Sequence, residues 1–124
     1  MRLITVLFLI GASAATAQDF VPRSSDAVLD RASMEQAVIG ETHEFYDGGQ
    51  SFFSVSGTYT YTYSDGTRAY GRWAWPQDNQ DGVICTAFNH GFQRCDMYVR
   101  AGDRLVLITE DGSRFPVRIN SADS

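Results

Sequence analysis

Thr58-Tyr59-Thr60-Tyr61-Thr62-Tyr63-Ser64-Asp65-Gly66-Thr67-Arg68-Ala69-Tyr70-Gly71-Arg72-Trp73-Ala74-Trp75 carries the strongest strand signal in the chain. Threonine and tyrosine alternate strictly from Thr58 to Tyr63, the period of a strand with two chemically different faces. Asp65-Gly66 supplies residues at ease at positive φ, and a second aromatic-rich run follows, so the stretch predicts a β-hairpin. A two-residue turn there pairs Tyr61 with Tyr70, Tyr59 with Arg72 and Tyr63 with Arg68. One face is then a ladder of phenol rings interleaved with guanidinium groups. The other holds Thr58, Thr60, Thr62, Ala69, Gly71, Trp73 and Trp75.

Working outward, turn signals recur at Asp47-Gly48-Gly49, Gly102-Asp103 and Asp111-Gly112, and Asn89-His90-Gly91 fits a three-residue loop with glycine left-handed. Between them run β-branched and aromatic residues. The predicted strands are 42–46, 50–55, 58–64, 67–75, 83–88, 92–100, 104–110 and 113–119. Turns at this spacing predict a mainly β protein: an antiparallel meander of about eight strands forming a closed or half-open barrel. The segment 24–39 carries the only helical pattern, with a capping-box spacing at Ser33 and Gln36 and a stop at Gly40, which predicts one short N-terminal helix.

The loop at 89–91 sets Cys85 directly opposite Cys95, and a small exported domain favours a disulfide there. The Gly102-Asp103 turn pairs Val99 with Val106 and Met97 with Ile108; a two-residue Asp111-Gly112 turn pairs Ile108 with Phe115 and Val106 with Val117. One face then collects Val83, Cys85, Ala87, Cys95, Met97, Val99, Val106, Ile108, Phe115, Val117 and Ile119, the expected core. The reverse side carries Arg94, Asp96, Arg100, Arg114 and Arg118, as a wetted face does. It also carries Tyr98, Leu105 and Leu107, for which the helix is the expected cover. Pro116 marks the last strand as an edge.

The N-terminus has a basic start, the apolar run Leu3 to Ile10 and small residues closing as Ala15-Thr16-Ala17. That is the form of a secretory signal over 1–17 with cleavage before Gln18, and the run is shorter than the roughly 20 residues a membrane span needs. The expected mature chain, 18–124, is one β domain without a stable membrane anchor, periplasmic or secreted. The chain has 10 basic residues, all arginine, and 15 acidic ones. This acidic balance argues against nucleic acid as a partner.

Few residues suit catalysis. His43 and His90 are the two imidazoles. His43 and Glu44 point to opposite faces of a strand, so no metal cluster converges there, and His43 reads as a surface histidine. No phosphate-binding glycine loop and no GxSxG motif are present, so no cofactor, catalytic residue or metal ligand is assigned.

Gly40 and Thr42 after the helix, the Asp-Gly turns, Gly71-Arg72-Trp73-Ala74-Trp75, Cys85, Cys95 and Gly102-Asp103-Arg104-Leu105 form a pattern. It resembles small periplasmic proteins of α-proteobacteria of unknown function, which implies a signal peptide, a helix and a disulfide-bearing β domain. Ser56-Gly57-Thr58-Tyr59 and the acidic balance are also similar to periplasmic lysozyme inhibitors, although no lysine lies nearby.

The expected function is a non-catalytic periplasmic binding module that recognises a protein or envelope component through Tyr59, Tyr61, Tyr63, Arg68, Tyr70 and Arg72. Tyrosine offers rigid apolar area with a polar tip, and arginine packs on its ring. Cross-strand tyrosine pairs also stabilise a hairpin with no partner at all. The alternatives are a barrel holding a small ligand among Thr58, Thr60, Thr62, Trp73 and Trp75, a lysozyme-type inhibitor, and a hydrolase.

Overall fold

A computed structural model describes residues 20–118. The signal segment 1–17 and Ile119 lie outside the described residues. The chain order is β1 (Ala27–Val28), α1 (Arg31–Ala37), β2 (Thr42–Glu44), β3 (Gln50–Phe53), β4 (Thr58–Thr62), β5 (Arg68–Ala74), β6 (Val83–Phe88), β7 (Gln93–Ala101), β8 (Arg104–Ile108) and β9 (Arg114–Pro116). Strands β2 to β9 form one antiparallel sheet in sequence order. The sheet curls into a half-barrel whose end strands touch: Phe45 bridges Val117, and Arg118 N–H donates to Glu44 O at 2.7 Å.

All eight strands of the meander fall where the sequence predicts them. The segment before α1 differs, because Ala27 and Val28 are extended and pair with Arg100 and Val99 where β6 leaves the β7 edge free. The helix begins one turn before the Ser33 cap: Asp30 is the N-cap, its carboxylate accepting the Ser33 N–H at 2.9 Å.

Loop length corrects two predicted registers. Around Asp65-Gly66, Tyr63 N–H donates to Thr67 O and Gly66 N–H to Tyr63 O, so the loop is the three residues Ser64, Asp65 and Gly66, with Gly66 at φ 92°. Asp65 Oδ1 accepts the Thr67 N–H at 2.9 Å, which holds the chain in that longer turn. At Asp111-Gly112 the pattern repeats, Asp111 Oδ1 accepting from Ser113 N–H at 3.0 Å. Tyr61 therefore pairs with Ala69, Tyr59 with Gly71, Thr58 with Arg72 and Thr62 with Arg68; Leu107 pairs with Phe115 and Val106 with Pro116. A shift of one residue moves every side chain of a strand to the other face relative to its neighbour. At 89–91 and Gly102-Asp103 the loops have the predicted lengths. There Cys85 faces Cys95 in a disulfide, Met97 faces Ile108 and Val99 faces Val106.

Two apolar clusters result. The inner one draws on the sheet from end to end, with Phe45, Phe53, Tyr59, Ile84, Tyr98, Leu105, Leu107 and Val117, and Met34 and Val38 of α1 pack into it. The outer one is local to β6, β7 and β8: Val83, Met97, Val99, Val106 and Ile108, with Phe20, Cys85 and Cys95 against it. The predicted core face is thus largely buried, Ala87 excepted, but is the outer one, and Phe115 and Val117 belong to the opposite side. Of the face predicted to be wet, Asp96 and part of Arg94 are enclosed with Tyr98, Leu105 and Leu107, whereas Arg100 and Arg118 are exposed. Arg114, on the outer side, donates to both Asp26 carboxylate oxygens at 2.8 and 3.1 Å and straps the N-terminal segment to β9.

Candidate functional site

The tyrosines of β4 share one face, as their alternation predicts, but that face is the inner one. Tyr59 is 1% exposed, Tyr61 half-buried and Tyr63 49% exposed, so the three descend from the rim of the half-barrel into its core. Two glycines permit close approaches around them, one to the β6 backbone and one to a tyrosine ring. A side chain on Gly71, opposite Tyr59, would run into the Ala87 carbonyl and Phe88 Cα, and one on Gly49 would meet the Tyr61 hydroxyl. The rings of Tyr61 and Tyr63 lie 4.9 Å apart, edge to face.

The predicted phenol and guanidinium ladder divides accordingly. Arg68, Tyr70 and Arg72 stand on the outer face of the hairpin, exposed, across from Thr62, Thr60 and Thr58. The alternative pocket divides as well: Trp73 and Trp75 pack on the inner cluster, while Thr58, Thr60 and Thr62 share the outer face. Trp73 pairs with Thr86, and its indole N–H donates to Ser54 O at 2.7 Å. Neither set of residues comes together as one surface.

What does converge is a cleft of about 220 Å³ at the mouth of the half-barrel. Phe45, Phe88, Leu107 and Phe115 form its apolar wall, Tyr61 and Tyr63 its rim, and Arg94, Asp47 and Thr109 its polar points. The Arg94 guanidinium stands 5.9 Å from the Phe88 ring centroid. Beneath it Arg94 Nε lies 3.1 Å from Asp96 Oδ2, without the alignment of a hydrogen bond. The Asp96 side chain is 3% exposed and that of Arg94 35%. Asp96 Oδ1 and the Tyr98 hydroxyl are buried with no hydrogen-bond partner among the described residues, whereas Tyr59 and Ser51 share one at 2.8 Å.

These surroundings shift the titrating groups in the direction burial dictates. Burial raises the Asp96 carboxyl to about 6, outweighing the pull of Arg94. The Tyr59 phenol is pushed up to about 12 by burial, against the Ser51 hydrogen bond. His43 is not the predicted surface histidine: it is buried, its Nε2 3.0 Å from Ala37 O, and burial lowers its pKa. It faces Ser51 across β2 and β3, yet Ser51 bonds to Tyr59 and the imidazole to the backbone, so no serine–histidine hydrogen bond forms.

Among the described residues no three His, Cys, Asp or Glu side chains gather as a metal site, and no helix is long and apolar enough to cross a membrane. Comparisons with protein-family models, with curated proteins and with solved structures returned no match.

Phe45, Asp47, Phe88, Arg94, Leu107, Thr109 and Phe115 line the cleft and are assigned to no site by sequence reasoning, nor is Asp96, which lies beneath Arg94. The signal for Arg94 and Asp96 is the run Arg94, Asp96, Tyr98: two opposite charges and a tyrosine on one face of a long strand, sharing that face with Leu105 and Leu107. Charges that can pair with each other allow such a face to be enclosed, although the same run is equally that of a wetted face.

Proposed function

We propose that this chain is a non-catalytic, exported binding module whose ligand enters the mouth cleft of the half-barrel. The observation that carries the reading is the convergence there of apolar and aromatic side chains from β4, β6, β8 and β9 and the preceding loop around a single arginine. An apolar concavity with few polar groups is the usual form of a small-ligand site. Its volume suits a small molecule, or one side chain projecting from a larger partner. Export to the periplasm is supported by the signal-like segment 1–17 and by the Cys85–Cys95 disulfide, a bond that lasts in oxidising compartments.

Titration with phenylnaphthylamine, a neutral dye that fluoresces in apolar surroundings, tests this. The wild type should bind it saturably, and Phe115→Ala in the wall or Tyr63→Ala at the rim should weaken binding severalfold. A Tyr70→Ala, Arg72→Ala double variant on the outer hairpin face should leave it unchanged. Binding lost only in the outer-face variant, or no binding at all, overturns the cleft reading.

A further inference from the structure

The polar end of the cleft is built in an unusual way. Arg94 is the only basic side chain among the residues lining it, and Asp47, whose Oδ1 accepts the Gly49 N–H at 2.9 Å, is the only acidic one. Arg94 Nε is buried, so the 35% exposure of this side chain belongs to its remaining atoms. Arg94, Thr109 and Phe115 also line a second hollow of about 360 Å³, and Asp96 is in its wall. One guanidinium therefore reaches the cleft while its inner edge meets a buried carboxylate. That carboxylate is held poorly: one unaligned contact at 3.1 Å, and an Oδ1 with no hydrogen-bond partner among the described residues.

An arginine has five donors in a planar fork and prefers two parallel hydrogen bonds to an anion. Asp96 does not supply them, and an acid entering the cleft can. We propose that the cleft takes a small organic acid, an apolar or aromatic body bearing a carboxylate, sulfonate or phosphate, whose anionic group binds Arg94, and that Asp96 takes up a proton from solvent as it gives Arg94 up. This rests on the cleft being the binding site.

The charge balance favours that exchange. A buried carboxylate that loses its counter-ion is costly unless it is neutralised. The other groups acting electrostatically on Asp96 and its arginine are Glu110, which like an incoming anion favours the protonated acid, and the phenols of Tyr59, Tyr61 and Tyr98. Burial already brings Asp96 to about 6, within reach of mildly acidic conditions. By linkage, a ligand that raises the proton affinity of Asp96 binds more tightly as pH falls.

The experiment compares two dyes on the purified, oxidised protein: anilinonaphthalene sulfonate, ionised throughout the range, and neutral phenylnaphthylamine, at about pH 5 and about pH 7.5. The sulfonate should bind roughly tenfold more tightly at the lower pH, which corresponds to a rise of one to two logarithmic steps in the proton affinity of Asp96 on binding. The neutral dye should change little. Asp96→Asn should hold the sulfonate tightly at both pH values, and Arg94→Met should lose its preference over the neutral dye. If the pH dependence survives in Asp96→Asn, or Arg94→Met keeps the preference, the proton exchange is wrong while the cleft reading stands. If neither dye binds the wild type, both fall.

Discussion

Replacing Asp96 with asparagine removes a buried charge without changing the shape of the side chain, and the consequence for stability can be worked from the structure. Burial raises the Asp96 pKa from 3.8 to about 6, against the pull of Arg94. The unfolded chain titrates this group near the lower value, so between the two the folded protein holds an extra proton and stability falls as pH rises. Well above the upper value the difference amounts to about 3 kcal/mol, and about half of it develops between about pH 5 and about pH 7.5. The Asp96 side chain is 3% exposed, so solvent screens little of this. His43 acts in the opposite sense: burial lowers its pKa, so its contribution is complete above its unfolded value and is lost as pH falls through the folded one. Asp26, whose pKa is lowered first by its hydrogen bond with Arg114, acts below this window. Subtracting wild type from variant cancels both. Urea denaturation of the oxidised proteins should find Asp96→Asn more stable by about 3 kcal/mol near pH 7.5 and by about half of that near pH 5. Arg94, being partly exposed, keeps its hydration in the variant. A difference that does not grow with pH, or a variant less stable than wild type near pH 7.5, would mean that burial does not raise the Asp96 pKa.

Gly71→Ala should destabilise by more than 2 kcal/mol, on the order of a severe overpacking, because its Cβ meets the β6 backbone and not a side chain that can move; thermal unfolding by circular dichroism measures it. Reduction of Cys85–Cys95, which closes a loop of sequence separation 10, should lower stability by about 3 kcal/mol in the chain-entropy account. Urea midpoints with and without reductant check that value.

Much of the fold is legible in the residues because its signals are local. Turn glycines and aspartates mark where each strand ends, alternation marks strands, and a three-residue loop at Asn89-His90-Gly91 places Cys85 against Cys95 with no further information. Asp-Gly is ambiguous in this code. It serves as a two-residue primed turn and equally as the end of a three-residue loop, and the choice is made by the aspartate's bond to the next N–H but one. Gly71 marks a close approach of another kind: a glycine inside a strand allows a neighbouring backbone near, and here that backbone is β6 at Ala87 and Phe88.

The candidate site was less legible, for a reason of geometry. A sheet has two apolar-bearing faces in β6 to β8, and nothing in their sequence says which one the curl encloses. By itself the sequence determined the strands, the disulfide pairing and the sharing of one face by Tyr59, Tyr61 and Tyr63. Tertiary contacts make this face concave, set a buried Asp96 beneath a partly exposed Arg94, and bring Phe88 and Phe115 to the cleft that Arg94 lines. Strand identity and pairing follow from contacts a few residues apart, whereas the sense of curvature is set when β2 and β9 meet through Phe45 and Val117, about seventy residues apart in the chain.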